Sequence, residues 1–123
     1  MVNTFMRMVS PPYRRKEVIR IFRRIVGPIG VQPGCLRCFC FSDLEDDNAF
    51  LFLSEWRTKV DLANHVKTHE FLELLAAMDL SVQTPVMEFK TITETAGLEL
   101  LDQLSTKYQT SRIASPTEKE SGN

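Results

Sequence analysis

The chain has 123 residues, of which 43% are hydrophobic and 25% are charged, a composition typical of one ordinary globular domain. Fifteen Lys and Arg residues against sixteen Asp and Glu residues give a net charge of -1, which argues against the basic footprint of a nucleic-acid-binding domain. No segment approaches the roughly 20 apolar residues that span a bilayer, and no signal peptide is recognisable. We therefore expect a cytoplasmic protein with neither a membrane nor a nucleic acid as its partner.

The first two predicted elements are a strand and a basic helix. The apolar segment from Val2 to Val9 predicts a strand that ends at the prolines following Ser10. From Arg14 onward, apolar residues recur at helical spacing, which predicts an amphipathic helix; they are Val18, Ile21, Phe22, Ile25 and Ile29. We expect Gly27-Pro28 to end or kink this helix.

Two further strands are predicted after the turn signal Gln32-Pro33-Gly34. Residues 35–42 alternate, so Leu36, Cys38 and Cys40 are expected on one face, and Cys35 with Phe39 and Phe41 on the other. A polar hairpin loop at residues 43–48 leads to a strand over residues 49–56, with one face formed by Phe50, Phe52, Ser54 and Trp56. The three cysteines are too crowded for a disulfide framework, and a flat strand converges poorly on a metal ion, so we interpret them as buried apolar side chains.

The second half of the chain predicts two short helices, a last strand and a polar tail. Thr58 and Asp61 fit a capping box for a helix ending near Lys67, and Thr68 is placed to cap a second helix that ends at Met78. Residues 82–92 alternate like a strand, and residues 97–108 form a weakly amphipathic helix. Residues 109–123 are rich in Ser, Thr and Glu, and we predict that they are disordered.

This order of elements predicts an α+β fold of the ferredoxin-like type, the split βαββαβ arrangement. Four antiparallel strands then carry helices on one face and leave the other face open to water. The predicted strands, however, are apolar on both faces. A second copy of the same sheet would cover the open face, so the pattern predicts a homodimer through the sheet face.

Four segments of this sequence resemble the antibiotic biosynthesis monooxygenase family of the dimeric α+β-barrel superfamily. They are Pro33-Gly34-Cys35-Leu36, Asp43-Leu44-Glu45-Asp46, Ser54-Glu55-Trp56, and Leu62-Ala63-Asn64-His65 followed by Phe71. The resemblance covers about residues 2 to 95. We predict residues 1–95 to be the family domain and residues 96–108 to be a C-terminal helix. The resemblance implies a small-molecule protein, because the family includes cofactor-free oxygenases of quinols and anthrones, haem-degrading enzymes and an isomerase.

The sequence also departs from the family pattern. Many members have a second histidine five residues after the one that aligns with His65, whereas this chain has Glu70 there and places His69 one residue earlier. Met6 and Leu75 align with the asparagine and the haem-ligating histidine of the haem-degrading branch. These differences argue against haem degradation, and we expect no cofactor and no metal.

Candidate site residues follow from the chemistry of a cofactor-free oxygenase, which needs a base and an apolar pocket. His65 is the candidate base, because imidazole titrates near neutral pH, with a hydrogen-bonded structural role as the alternative. Trp56 is assigned to the catalytic site with it, either stacking on a planar ligand or filling the core. The candidate ligand-binding residues are Phe5, Phe52, Asn64 and Met87. His65 and His69 have metal-ligand spacing, but no third ligand is apparent.

We therefore predict a cofactor-independent monooxygenase that acts on a planar aromatic or quinol-like molecule. The alternative is a non-catalytic dimeric protein of the same fold that binds a small ligand or serves in a stress response. RNA-recognition domains share the split fold, but the strand at residues 49–56 has no positive charge and lacks their aromatic signature.

The charges are unevenly distributed along the chain. Residues 1–40 hold eight of the fifteen bases and a single acid, Glu17. We interpret this as two solvated surfaces of one domain, with a salt-sensitive dimer interface as the alternative.

Overall fold

The computed structural model describes residues 1–105. The chain divides into two units; the first is Met1–Ile92 and the second begins at Thr93. The first unit contains strands β1 to β4 and helices α1 to α3; their bounds are β1 Val2–Val9, α1 Arg15–Gly30, β2 Cys35–Asp43, β3 Asp46–Trp56, α2 Lys59–His65, α3 His69–Met78 and β4 Val86–Thr91. A short 3-10 turn, Pro12–Arg14, precedes α1. No helix within residues 1–105 is both long and apolar enough to cross a membrane.

The four strands form one antiparallel sheet in the order β2-β3-β1-β4. This confirms the predicted ferredoxin-like α+β fold. The central strand β1 pairs with both β3 and β4, and Met6 stands opposite Phe52 on one side and Met87 on the other. Residues directly opposite in a sheet point to the same face, so these three side chains share one face.

The core lies between this face of the sheet and the helices. Helix α1 contributes its apolar stripe, and α3 packs beside it through Phe71, Leu74 and Ala77. The sheet contributes five large buried side chains, which are Met6, Met8, Phe50, Phe52 and Trp56. All of the large side chains on the inward face of β3 are therefore removed from water. Burial of apolar side chains such as these is the dominant favourable contribution to folding.

Several elements have different bounds from those predicted; α2, for example, ends at His65 instead of near Lys67. Helix α1 continues through Pro28 to Gly30, because Ile29 extends the buried stripe by one more turn. The hairpin loop contains only Leu44 and Glu45, since Asp43 pairs with Asp46. The carboxylate of Asp43 accepts a hydrogen bond from the backbone N–H of Glu45 (2.8 Å). Strand β4 begins at Val86 instead of residue 82, because the backbone N–H of Val82 donates to the carbonyl of Val9 (2.8 Å) at the end of β1.

A β-bulge at the start of β2 overturns the predicted faces of two residues. The pairing shifts between Cys35 and Arg37, so Leu36 is the extra residue and is exposed. Cys35 stands opposite Trp56, while Cys38 stands opposite Ser54. Cys35 therefore shares the inward face with Cys38 and Cys40, and the prediction that it points to the opposite face is wrong. One inserted residue moves the side chains that precede it in the strand to the opposite face of the sheet.

The outer face of β2 and β3 is largely apolar, as the alternation predicted, whereas β1 and β4 add Asn3, Arg7, Glu88 and Lys90 to it. Its hydrophobic side chains are Phe5, Phe39, Phe41, Leu51 and Leu53. Phe39 and Phe41 are 43% and 51% exposed, and their ring centroids lie 5.8 Å apart. Arg37 and Glu55, 2.8 Å apart as an ion pair, interrupt this face, and so does the pair of Arg7 with Asp43 at 3.4 Å.

The basic residues of α1 are paired in part within the first unit. Arg14 forms an ion pair with Glu17 (2.9 Å), and the Nε of Arg24 donates to Glu73 of α3 (2.8 Å). Exposed pairs of this kind each stabilise by about 0–1 kcal/mol, so they orient surface side chains more than they hold the fold together.

The second unit contains one described helix, α4, from Glu99 to Leu104. It is shorter than the predicted helix over residues 97–108. Tyr108 and the predicted disordered tail lie outside the described residues.

Candidate functional site at Trp56 and His65

Two capping threonines place His65 under the sheet. The backbone N–H of Asp61 donates to Thr58 Oγ1 (3.1 Å) and starts α2, of which His65 is the last residue. Thr68 Oγ1 then donates to the carbonyl of His65 (2.7 Å) and accepts from the N–H of Phe71 (3.3 Å). Both predicted caps are confirmed, and Thr68 ties the end of α2 to the beginning of α3.

The His65 ring lies between two aromatic side chains. It stacks on Trp56 with ring centroids 4.3 Å apart and planes inclined by 23°, and it meets Phe71 edge-on at 5.2 Å. Trp56 is fully buried and His65 is only 2% exposed. The Trp56 indole N–H donates to Ser54 Oγ (2.9 Å) on the same strand. We call Trp56, His65, Phe71 and Gln32 the histidine cluster.

Gln32 determines which nitrogen of His65 carries the proton. Its amide Nε2 donates to the carboxylate of Glu70 (3.2 Å), and its Oε1 lies 2.7 Å from His65 Nδ1. Because an amide oxygen only accepts, this network assigns the proton to Nδ1. The Nε2 of His65 is then an unprotonated acceptor, and it is buried without a hydrogen-bond partner among residues 1–105.

Burial lowers the pKa of His65 from 6.5 to about 4, and the negative charge of Glu70 opposes this shift in part. The imidazole is therefore neutral at neutral pH. A neutral ring with a free Nε2 lone pair can accept a proton or a hydrogen bond from a molecule placed beside it.

The structure separates the four predicted ligand-binding residues. Phe52 and Met87 share the inward face with Trp56, as expected. Phe5 stands opposite Leu53 and Glu88 and points to the outer face, so the prediction that it lines the same space is wrong. Asn64 is exposed, because successive residues of a helix point about 100° apart and His65 faces inward.

Sequence reasoning missed Gln32, Glu70 and Ser54 as partners of the cluster. Gln32 was assigned only to a turn, and Glu70 was noted only as a departure from the family pattern. The contacts of Gln32 join residues 33 and 38 positions apart, for which no local signal exists, whereas Ser54 lies two residues before Trp56 on the same strand.

An open cleft lies at the other end of the sheet. It lies between α1 and the edge strand β2 and has a volume of about 440 Å³. Its lining comes from α1, β2 and β3 and consists of Arg15, Ile19, Phe22, Arg23, Val26, Gly27, Cys40, Phe41, Ser42 and Phe50. None of these residues belongs to the histidine cluster. Phe50 precedes Trp56 by six residues on β3, a separation of about 20 Å along a strand.

The cysteines are not activated for chemistry. Burial raises the pKa of the Cys38 thiol to about 12 and that of the Cys40 thiol to about 11, so both are protonated near neutral pH. Within residues 1–105, no three His, Cys, Asp or Glu side chains form a group that could hold a metal ion.

Residues 1–77 match the family model described as antibiotic biosynthesis monooxygenase. The chain belongs to this family. It is 31% identical over 90 residues to the uncharacterized protein sll1783 of Synechocystis sp.; the match covers 71% of this chain and 60% of the length of that relative.

Solved structures show the same fold at lower identity. A crystal structure titled antibiotic biosynthesis monooxygenase is 22% identical with a TM-score of 0.68, covering 76% of this chain and 100% of that one. Rv0793 from Mycobacterium tuberculosis is 14% identical with a TM-score of 0.70, covering 78% and 98%. Family membership therefore indicates a small-molecule fold of the monooxygenase or binding type.

Proposed function

We propose that this family member is a cofactor-independent monooxygenase that acts on a planar aromatic or quinol-like molecule, with His65 as the base. The observation that carries the proposal is the Nε2 of His65, which is buried beside Trp56 and has no hydrogen-bond partner in the part of the chain that the structure describes. A buried polar atom without a partner is costly, and such atoms persist where a ligand or a reaction uses them.

In the proposed reaction, Nε2 takes a proton from the substrate, which becomes an electron-rich anion. The anion passes an electron to dioxygen, and the two resulting radicals combine to form a carbon–oxygen bond. One oxygen atom stays in the product and the other leaves as water, so the substrate supplies all the electrons and hydrogens. An anion formed beside the ring raises the pKa of His65 and thereby holds the transferred proton.

The neighbouring side chains have distinct roles in this proposal. Gln32 is a positioning residue, because its Oε1 keeps the proton on Nδ1 and leaves Nε2 free. Trp56 fixes the orientation of the imidazole ring by stacking on it. Phe52 and Met87 form part of the apolar wall of the binding site on the inward face of the sheet. Because His65 and Trp56 are closed to solvent, the substrate enters only when side chains around the cluster move.

Oxygen uptake with a panel of hydroquinones and anthrones tests the proposal. His65→Gln should lower the rate about 100-fold or more, because it removes the proton acceptor. His69→Gln is the matched control, since His69 is an exposed histidine four residues later, and its rate should equal that of the wild type. Equal rates in the two variants would refute a role for His65 as the base.

A second candidate function is ligand binding without catalysis. The closed histidine cluster favours it, as does the open cleft, whose lining contains no His, Asp or Glu. Absence of oxygen uptake by the wild type on every compound of the panel, with binding of the same compounds retained, would support this candidate over the oxygenase.

We further propose that a second copy of the chain covers the outer face of the sheet. The apolar side chains there, which include Phe39 and Leu53, form a surface that can pack against the same surface of a second copy in a symmetric dimer. Burying such an apolar face from water is favourable by about 25 cal/mol per Å².

The molar mass in solution tests the dimer. We expect a dimeric mass at micromolar concentration by light scattering, and a monomeric mass for Phe39→Glu, which places a charge in the interface. Leu44→Glu is the matched control, because Leu44 is fully exposed in the hairpin loop, and it should remain dimeric. A monomeric wild type would contradict the proposal.

A further inference from the structure

The cleft between α1 and β2 has one wall from the helix and one from the edge of the sheet. Arg15, Ile19, Phe22, Arg23 and Val26 recur at helical spacing on one side of α1 and form the first wall. Strand β2 has no neighbour on its outer edge, so the cleft opens to solvent there. Its volume of about 440 Å³ is in the range of small-molecule sites.

Apolar side chains form most of the cleft interior, and Ser42 is its one uncharged polar side chain. Phe22 and Phe50 lie at its base with ring centroids 5.7 Å apart and planes inclined by 60°. Ile19 and Val26 complete the helix wall, and the Cys40 thiol is protonated and acts as a small apolar group. This surface suits the flat body of an aromatic molecule.

Two arginines give the cleft a positive rim. The Nε of Arg15 donates to the carbonyl of Asp47 (2.8 Å), and its guanidinium carbon lies 5.9 Å from the centre of the Phe50 ring, so this cation is held at the cleft. Arg23, two turns further along α1, has no ion pair or hydrogen bond with any residue in the part of the chain that the structure describes. The cleft lining includes no Asp or Glu to neutralise these charges.

We propose that this cleft is a binding site for an amphipathic anion, an aromatic molecule that carries one carboxylate. The ring system would lie on Phe22 and Phe50, and the carboxylate would pair with Arg23 and with the free guanidinium N–H groups of Arg15. Guanidinium–carboxylate pairs are charge-assisted and can be bidentate, which makes the charge of the ligand a condition of tight binding. The site shares no residue with the histidine cluster, so it does not depend on the proposed oxygenase activity.

Amide NMR titrations with 1-naphthoate and its neutral analogue 1-naphthylmethanol test this inference on the whole chain. We expect naphthoate to perturb amides of α1 and β2 and to bind about tenfold more tightly than the alcohol, as expected for hydrogen bonds to charged groups. Arg23→Gln should abolish most of this preference. Arg20→Gln is the matched control, because Arg20 is an exposed cation of the same helix outside the cleft lining.

Gly27→Leu blocks the cleft without removing any contact. A Cβ built at Gly27 meets no atom within 4 Å, so the new side chain extends into open space within the lining. We expect it to abolish naphthoate binding while the thermal midpoint is kept or raised. Equal affinity for the acid and the alcohol, perturbations confined to the outer face of the sheet, or full binding by Gly27→Leu would each overturn the proposal. The readout is binding alone, so a failure of oxygen uptake leaves it unaffected.

Discussion

The free energy of unfolding is expected to fall by about 3 kcal/mol between pH 8 and pH 4 on account of His65 alone. Burial lowers its folded pKa to about 4, whereas the unfolded chain has the ordinary value of 6.5. The unfolded state therefore binds the proton more tightly than the folded state. Above pH 6.5 the His65 imidazole is neutral in both states and its full contribution to stability is present. As the pH falls from 6.5 toward 4, protonation of His65 in the unfolded state lowers the free energy of unfolding.

Urea unfolding at a series of pH values measures this effect at a fixed protein concentration. His65→Phe keeps an aromatic ring against Trp56 but cannot titrate, so its stability should lack this part of the acid dependence. His69→Asn removes an exposed histidine and should retain the wild-type dependence. If His65→Phe and the wild type lost the same stability between pH 6.5 and pH 4, His65 would not be the buried neutral group described here.

Trp56→Ala is expected to lower the free energy of unfolding by about 3–5 kcal/mol, because it leaves a cavity in the core where no part of the side chain was exposed. The substitution also removes the stacking partner of His65 and leaves the Ser54 hydroxyl without its donor. Leu72→Ala is the control on α3, where the side chain is exposed, and should change stability by about 0.5 kcal/mol or less.

A double-mutant cycle separates the hydrogen bond from the packing. Trp56→Phe and Ser54→Ala each leave a buried polar group unpaired, at a cost of about 1–3 kcal/mol. The double variant leaves neither group unpaired, so its loss of stability should be smaller than the two single losses combined. Additive losses in denaturant titrations would show that the indole N–H and the Ser54 hydroxyl do not interact.

The elements that sequence predicted correctly depend on local interactions. Strand β1 has the predicted bounds because an apolar run before two prolines leaves few alternatives. The helices α2 and α3 begin as expected because Thr58 and Thr68 cap them through bonds to residues three positions away. Each of these signals lies within one turn of backbone, which is the distance over which sequence patterns are informative.

The errors have equally physical causes. The bulge at Leu36 inserts one residue and reverses the face of Cys35, and no turn residue marks it. Phe5 is predicted to bind the ligand together with Phe52, but it stands opposite Leu53, the next residue of β3, and adjacent strand residues point to opposite faces. Proline at position 28 predicted an end or a kink in α1; the helix does not end there, because burial of Ile29 favours one more helical turn.

The sequence by itself determined the fold class, the caps that place His65, and the family to which the chain belongs. Those depend on periodicity and on short motifs, which a chain carries before it folds. Only the tertiary structure decided that Gln32 bonds Nδ1 of His65 and leaves Nε2 bare, that Phe5 faces away from it, and that Arg15 and Arg23 border an open cleft. These features join residues far apart in sequence, and long-range packing brings them together.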